Sequence, residues 1–204
     1  MKRTFAALAA LALLTACNNT PTPTESPTTE APPAMSPAPS EPAGQTPKSV
    51  DDLVIGFGSV GPVSIGMSKD EAVATGLFDA NVPPAVDGCP APPLSWKKPF
   101  SAVVDVLTKE DGSVASLGVH EKGPKAEAGV GVGSTLADLK DAYGDDLSGP
   151  EEAGYGQSGA YVDQDGAWIG FLLDPAPGAV KDDSPITFIE VSKGDKPGLM
   201  RDGC

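Results

Sequence analysis

The chain has 204 residues, of which 28 are acidic and 14 basic, with one histidine, three cysteines and a formal net charge of −14. So acidic a balance argues against nucleic acid and against an anionic lipid surface as partners, because both would be repelled. Solubility and mutual repulsion are the ordinary reading of so many carboxylates.

Lys2 and Arg3 precede an unbroken apolar run from Phe5 to Leu14. That is a charged n-region and an h-region of signal-peptide length, too short to span a bilayer. Leu14, Thr15, Ala16 and Cys17 then resemble the lipobox of bacterial lipoproteins. The resemblance implies cleavage before Cys17 and a lipid on its thiol, so that residues 1–17 form the signal with its lipobox. The alternative is a plain secretory signal cut near Ala16. Loss of Lys2 and Arg3 with the signal would leave 12 basic against 28 acidic residues, a net charge of −16.

Residues 18–48 have no apolar periodicity and are dominated by Pro, Thr, Ser, Ala and Glu. Such a segment cannot bury enough surface to offset its conformational entropy. Dense proline favours extended polyproline II, so about thirty residues reach on the order of 90 Å. The segment reads as a tether, glycosylated or bare, holding residues 49–204 off the membrane.

Those residues are enough for one domain or two tightly packed small ones. It opens with the glycine-rich Ile55–Gly61, which satisfies G-x-G-x-x-G through Gly56, Gly58 and Gly61. A dinucleotide site needs a helix to begin at once. Pro62 and the alternation of Val63, Ser64 and Ile65 predict an extended segment instead.

A pattern then occurs twice, in Ile65–Phe78 and in Val132–Gly144. Each copy starts with a hydrophobe and a glycine and reaches a helix-capping hydroxyl. Ser68 with Glu71 makes a capping box, and Thr135 with Asp138 a version with a shorter acid. Gly76 and Gly144 stand where C-terminal caps belong. Leu136, Leu139 and Tyr143 give the second helix one apolar stripe. Helices this short do not hold alone in water, so both must pack on something.

Strands follow each helix. Residues 100–108 and 113–121 alternate around the turn Glu110-Asp111-Gly112; residues 159–163 and 167–174 do so around Gln164-Asp165-Gly166, and residues 186–194 close the series. Ser116–Gly123 aligns with Phe188–Gly194, setting Leu117 over Ile189 and Val119 over Val191. The fold class expected is α+β, in two tandem similar halves, about 50–124 and 125–204, each a short helix packed on about three antiparallel strands. Cys89 and Cys204, in a compartment where thiols oxidise, are expected to form a disulfide rather than a catalytic thiol.

Gly66, Met67 and Ser68, then Glu71 and Gly76, resemble the G-M-[ST]-x-x-[EQ] helix start of small outer-membrane-assembly lipoproteins and of the tandem-repeat β-lactamase inhibitory proteins. The second copy has Ser134 in place of the methionine. The doubled layout is more similar to the inhibitors, and the lipobox, tether and helix start together resemble secreted actinobacterial lipoproteins of unassigned function. The resemblance covers about a dozen residues in each half and implies a fold rather than an activity.

Few residues point to chemistry. Asp163 and Asp165 begin like a calcium loop but lack its remaining ligands and closing glutamate, so a hairpin turn is expected. Gly129–Ser134 leads a helix but has no P-loop lysine. His120 lies on the strand face opposite Leu117 and Val119 and is expected to face water. Neither a zinc site nor a Ser-His-Asp system can be assembled from one histidine and a paired set of cysteines. No cofactor or metal is implied.

The inward register of residues 167–174 is most economically Ile169, Phe171 and Leu173. Trp168 then turns to the other face, which Tyr161 shares. With helices on one side only, that face would stay open, and large amphipathic side chains there are the type that anchors partners. Trp96, beside Lys97 and Lys98, and Tyr155 are further candidates. The alternative for Trp168 is packing under a loop or between the halves. The expectation is thus a non-enzymatic lipoprotein, anchored at the outer face of the cell membrane or the periplasmic side of a Gram-negative one, that binds an envelope protein or wall component. An envelope hydrolase using unidentified carboxylates, or a structural spacer, is the alternative.

Overall fold

The computed structural model describes residues 46–80 and 91–200. The signal, Cys17, nearly all of the tether, and the Cys89–Cys204 pair lie outside the described residues. Among those described, no helix is long and apolar enough to cross a membrane.

After a 3-10 turn at Val50–Asp52 comes a meander of β1 (Val54–Gly56), β2 (Ser59–Val60) and β3 (Val63–Ser64), closed by β8 (Lys125–Ala126) parallel to β1. This is the extended reading of Ile55–Gly61, with Gly58 and Gly61 at the turns with positive φ. Ile55, Val60 and Val63 face the core.

Helix α1 (Lys69–Ala74) and helix α2 (Leu136–Tyr143) both begin with the expected capping boxes. Ser68 Oγ accepts from Glu71 N–H while the Glu71 carboxylate accepts from Ser68 N–H at 2.8 Å. Thr135 and Asp138 repeat the arrangement. The α2 donors left over are also satisfied: Leu136 N–H donates to Ser184 O and Ala137 N–H to Asp182 O.

Between the helices run β4 (Phe78–Ala80), β5 (Leu94–Trp96), β6 (Val104–Thr108) and β7 (Val114–Val119). After α2 come β9 (Ser148–Gly154), β10 (Gln157–Gln164), β11 (Ala167–Leu173) and β12 (Ile186–Lys193). The fold is therefore mixed α+β, dominated by strands. Strands β4 and β5 pair with each other, and the rest of this set forms one antiparallel sheet in the order β6-β7-β12-β11-β10-β9. Four strands, not three, follow α2. The unexpected one, β9, is an edge strand with little apolar content, and carries Pro150, Glu151 and Glu152.

One face of the large sheet makes the core. Leu117, Val119, Ile169, Phe171, Leu173, Ile189 and Val191 point inward and meet Leu136 and Leu139 of α2. The Tyr143 ring packs on Phe171 at 5.8 Å between centroids, completing the expected stripe. In the middle of this sheet β7 and β12 pair antiparallel, with Glu190 opposite Gly118, Ile189 opposite Val119 and Val191 opposite Leu117.

Candidate functional site

The outer face of the large sheet carries Tyr161 and Trp168, as the alternation of β10 and β11 requires. It is not open there. After β12 the chain turns at Gly194, φ +91°, and residues 195–200 cross back over that face as a strap. Leu199, only 2% exposed, packs with Tyr161, Leu172 and Phe188. Its N–H donates to the buried Glu190 carboxylate at 2.7 Å. Lys196 pairs with Glu151 and sits 4.5 Å from the centre of the Tyr161 ring. Burial is the main force raising the Tyr161 pKa, with the Glu151 and Glu190 charges adding to it.

The expected docking residues are corrected accordingly. Tyr161 is 3% exposed beneath the strap, and half-buried Trp168 packs against the same cluster, with no hydrogen-bond partner for Nε1 among the described residues. Trp96 is also 3% exposed, because its place on β5 points it into the core against Phe78, 4.4 Å between ring centroids, and Phe100. Tyr155 alone of the four is largely exposed, 81% at the β9–β10 turn. His120 is exposed, as its strand position predicts. Asp163 and Asp165 are exposed at a hairpin turn, and no group of three or more metal-ligating side chains occurs among the described residues.

A different place remains accessible. A cleft of about 550 Å³ opens where the β1–β2 turn, the turn after β8, the end of α2 and the tip of the β10–β11 hairpin meet. Its floor is apolar, with Ile55, Ala126, Ala167 and Ile169. Phe57 forms one wall and is 37% exposed, a large hydrophobe held out by its turn. Gly58 follows it at φ +79°, with room for only an ordinary contact between an added Cβ and Ala167, 3.6 Å away, so the turn lies close over the hairpin. Tyr143 contributes a half-buried phenol whose pKa burial raises, keeping it neutral at physiological pH.

The rim is acidic. Glu127 sits in a tight turn closed by Ala126 N–H to Val130 O and Gly129 N–H to Ala126 O, both 2.8 Å. Asp165 and Gly166 turn the hairpin with φ of 53° and 76°. Sequence reading placed Phe57 in a glycine-rich extended segment, Asp165 in a hairpin turn and Tyr143 on the apolar stripe of a helix, made no assignment for Glu127, and missed that they share one cleft. The signal available was the exposed aromatic inside a glycine-rich turn.

Compared with known protein families, curated proteins and solved structures, the chain matches none of them.

Proposed function

We propose that this protein is a lipid-anchored, non-enzymatic binding module of the cell envelope, and that it takes its ligand in the cleft between Phe57 and Tyr143. The observation that carries this reading is the cleft itself: an apolar floor, one exposed aromatic wall and a few polar groups, within the size range of ligand pockets. Glu127 and Asp165 are both solvent-exposed at its rim, which suits attraction of a ligand. The lipobox-like stretch at Cys17 and the proline-rich segment after it support a module held outside the membrane, within reach of envelope components.

The same proposal includes the doubled architecture. Gly66 N–H donates to Val114 O and Val114 N–H to Met67 O; Gly133 N–H donates to Ile186 O and Ile186 N–H to Ser134 O. Each helix entry is thus tied to the first residue of the strand that closes its half by the same pair of bonds. The aligned residues Gly118 and Glu190 also lie opposite each other. A pseudo-two-fold through that pair accounts for both facts and supports a tandem arrangement related to that of the inhibitory proteins.

The test is retention of envelope material on the immobilised domain from Ser49 onward. Phe57→Asp should lose most of the retention seen with wild type, whereas Trp168→Ala should keep it. Equal retention by Phe57→Asp removes the cleft from the proposal. Incorporation of labelled fatty acid, expected in the wild type and absent in Cys17→Ser, checks the anchor; labelling of Cys17→Ser contradicts it.

A further inference from the structure

We infer that the ligand of this cleft is a small amphipathic organic cation, an ammonium group borne on an aromatic or branched apolar body. The inference rests on the cleft being the binding site and adds the chemistry of what enters it.

Charge selects the sign. Glu127 and Asp165 stand on two different turns of the rim, and neither has an ion-pair or hydrogen-bond partner among the described residues. Among the described residues no lysine, arginine or histidine lines the cleft; Lys193, across the ladder from Ala167, is not part of its lining. In a protein of net charge −14 the surrounding field reinforces that preference. Two unpaired carboxylates over a hydrophobic floor attract a cation and repel an anion.

The walls select the rest. Phe57 is exposed and Tyr143 half-buried, and both present aromatic surface to the cavity. An ammonium near such rings gains from the ring quadrupole, while the apolar part of the same molecule covers Ile55, Ala167 and Ile169. The Tyr143 hydroxyl, neutral and without a hydrogen-bond partner among the described residues, offers an acceptor for an ammonium N–H. A strongly hydrated inorganic cation would leave the aromatic and aliphatic surface uncovered, and a neutral hydrocarbon would leave the carboxylates unused.

The experiment is an amide-resonance titration of the chain from Asn18 onward, which omits the lipid-bearing Cys17 and keeps every described residue. The probes are phenethylammonium, the neutral 2-phenylethanol and the anionic 3-phenylpropionate. Phenethylammonium should shift the amides of Phe57, Ala128 and Asp165 saturably, and bind about tenfold more tightly than 2-phenylethanol, with 3-phenylpropionate weaker still. Glu127→Gln and Asp165→Asn should each weaken it about two- to fivefold, the range of an exposed ion pair, whereas Glu152→Gln on β9 should have no effect. Equal binding of the ammonium and the alcohol, or an equal loss in Glu152→Gln, overturns the assignment of a cation while leaving the cleft as a binding site. Absence of any shift at these amides overturns it too; whether the cleft binds at all is then read separately, from retention by Phe57→Asp.

Discussion

Gly170 shows how one residue decides what the outer face can do. A Cβ there would lie 3.0 Å from both Leu199 Cδ2 and Pro197 Cβ, so any side chain at that position would press on the strap where it crosses β11. Gly170→Val should lift the strap at a cost of about 1–3 kcal/mol, the usual range for overpacking. It should shift Trp168 emission to longer wavelength and speed cleavage after Lys193 and Lys196; unchanged emission and cleavage would mean that the strap does not rest on this face. The capping acids give a second residue-scale expectation. Hydrogen bonds from the Thr135 N–H and then its hydroxyl hold the Asp138 pKa below its usual value. A depressed pKa stabilises the fold above the unfolded value of about 4 and loses that contribution as pH falls through the folded value. Melting temperature should therefore drop on acidification below about pH 4, and Asp138→Asn should make the drop shallower; an unaltered acid profile would argue against the cap. These caps were legible in the sequence because both partners lie within four residues. The burial of Tyr161 was not, because the strap that covers it, Lys196-Pro197-Gly198-Leu199, has no periodicity to say where it packs.

At the scale of elements, what could be read was what alternates or repeats. The inward set Ile169, Phe171 and Leu173 and the helical stripe Leu136, Leu139 and Tyr143 both follow from period, since one face of each must meet a core. Strand β9 escaped because an edge strand of Ser, Gly, Pro and Glu shows no apolar alternation, being held by its ladder to β10. Helix α2, at eight residues, owes its existence to packing rather than propensity. Leu139→Ala, at a fully buried position facing the sheet, should thus cost about 2–5 kcal/mol in denaturant unfolding, enough to threaten a domain of ordinary stability. A loss below about 1 kcal/mol would mean that the helix is not anchored by this stripe.

For the whole molecule, the proposed binding surface lies elsewhere than the place its sequence suggested. The cleft is assembled from Phe57, Glu127, Tyr143 and Asp165, which are distant in sequence and carried by four different elements, so no local pattern could announce it. The aromatics that sequence alternation placed together did come together, but on a face that the chain closes itself. The most direct measurement is hydroxyl-radical footprinting of the full-length protein on intact envelopes against the purified chain from Asn18 onward. Phe57 should be labelled in the purified protein and protected on the envelope, while Leu199 and Tyr161 stay protected in both. Equal labelling of Phe57 in the two settings, together with labelling of Tyr161 in the purified chain that disappears on the envelope, would contradict the account and return the binding surface to the outer face of the sheet.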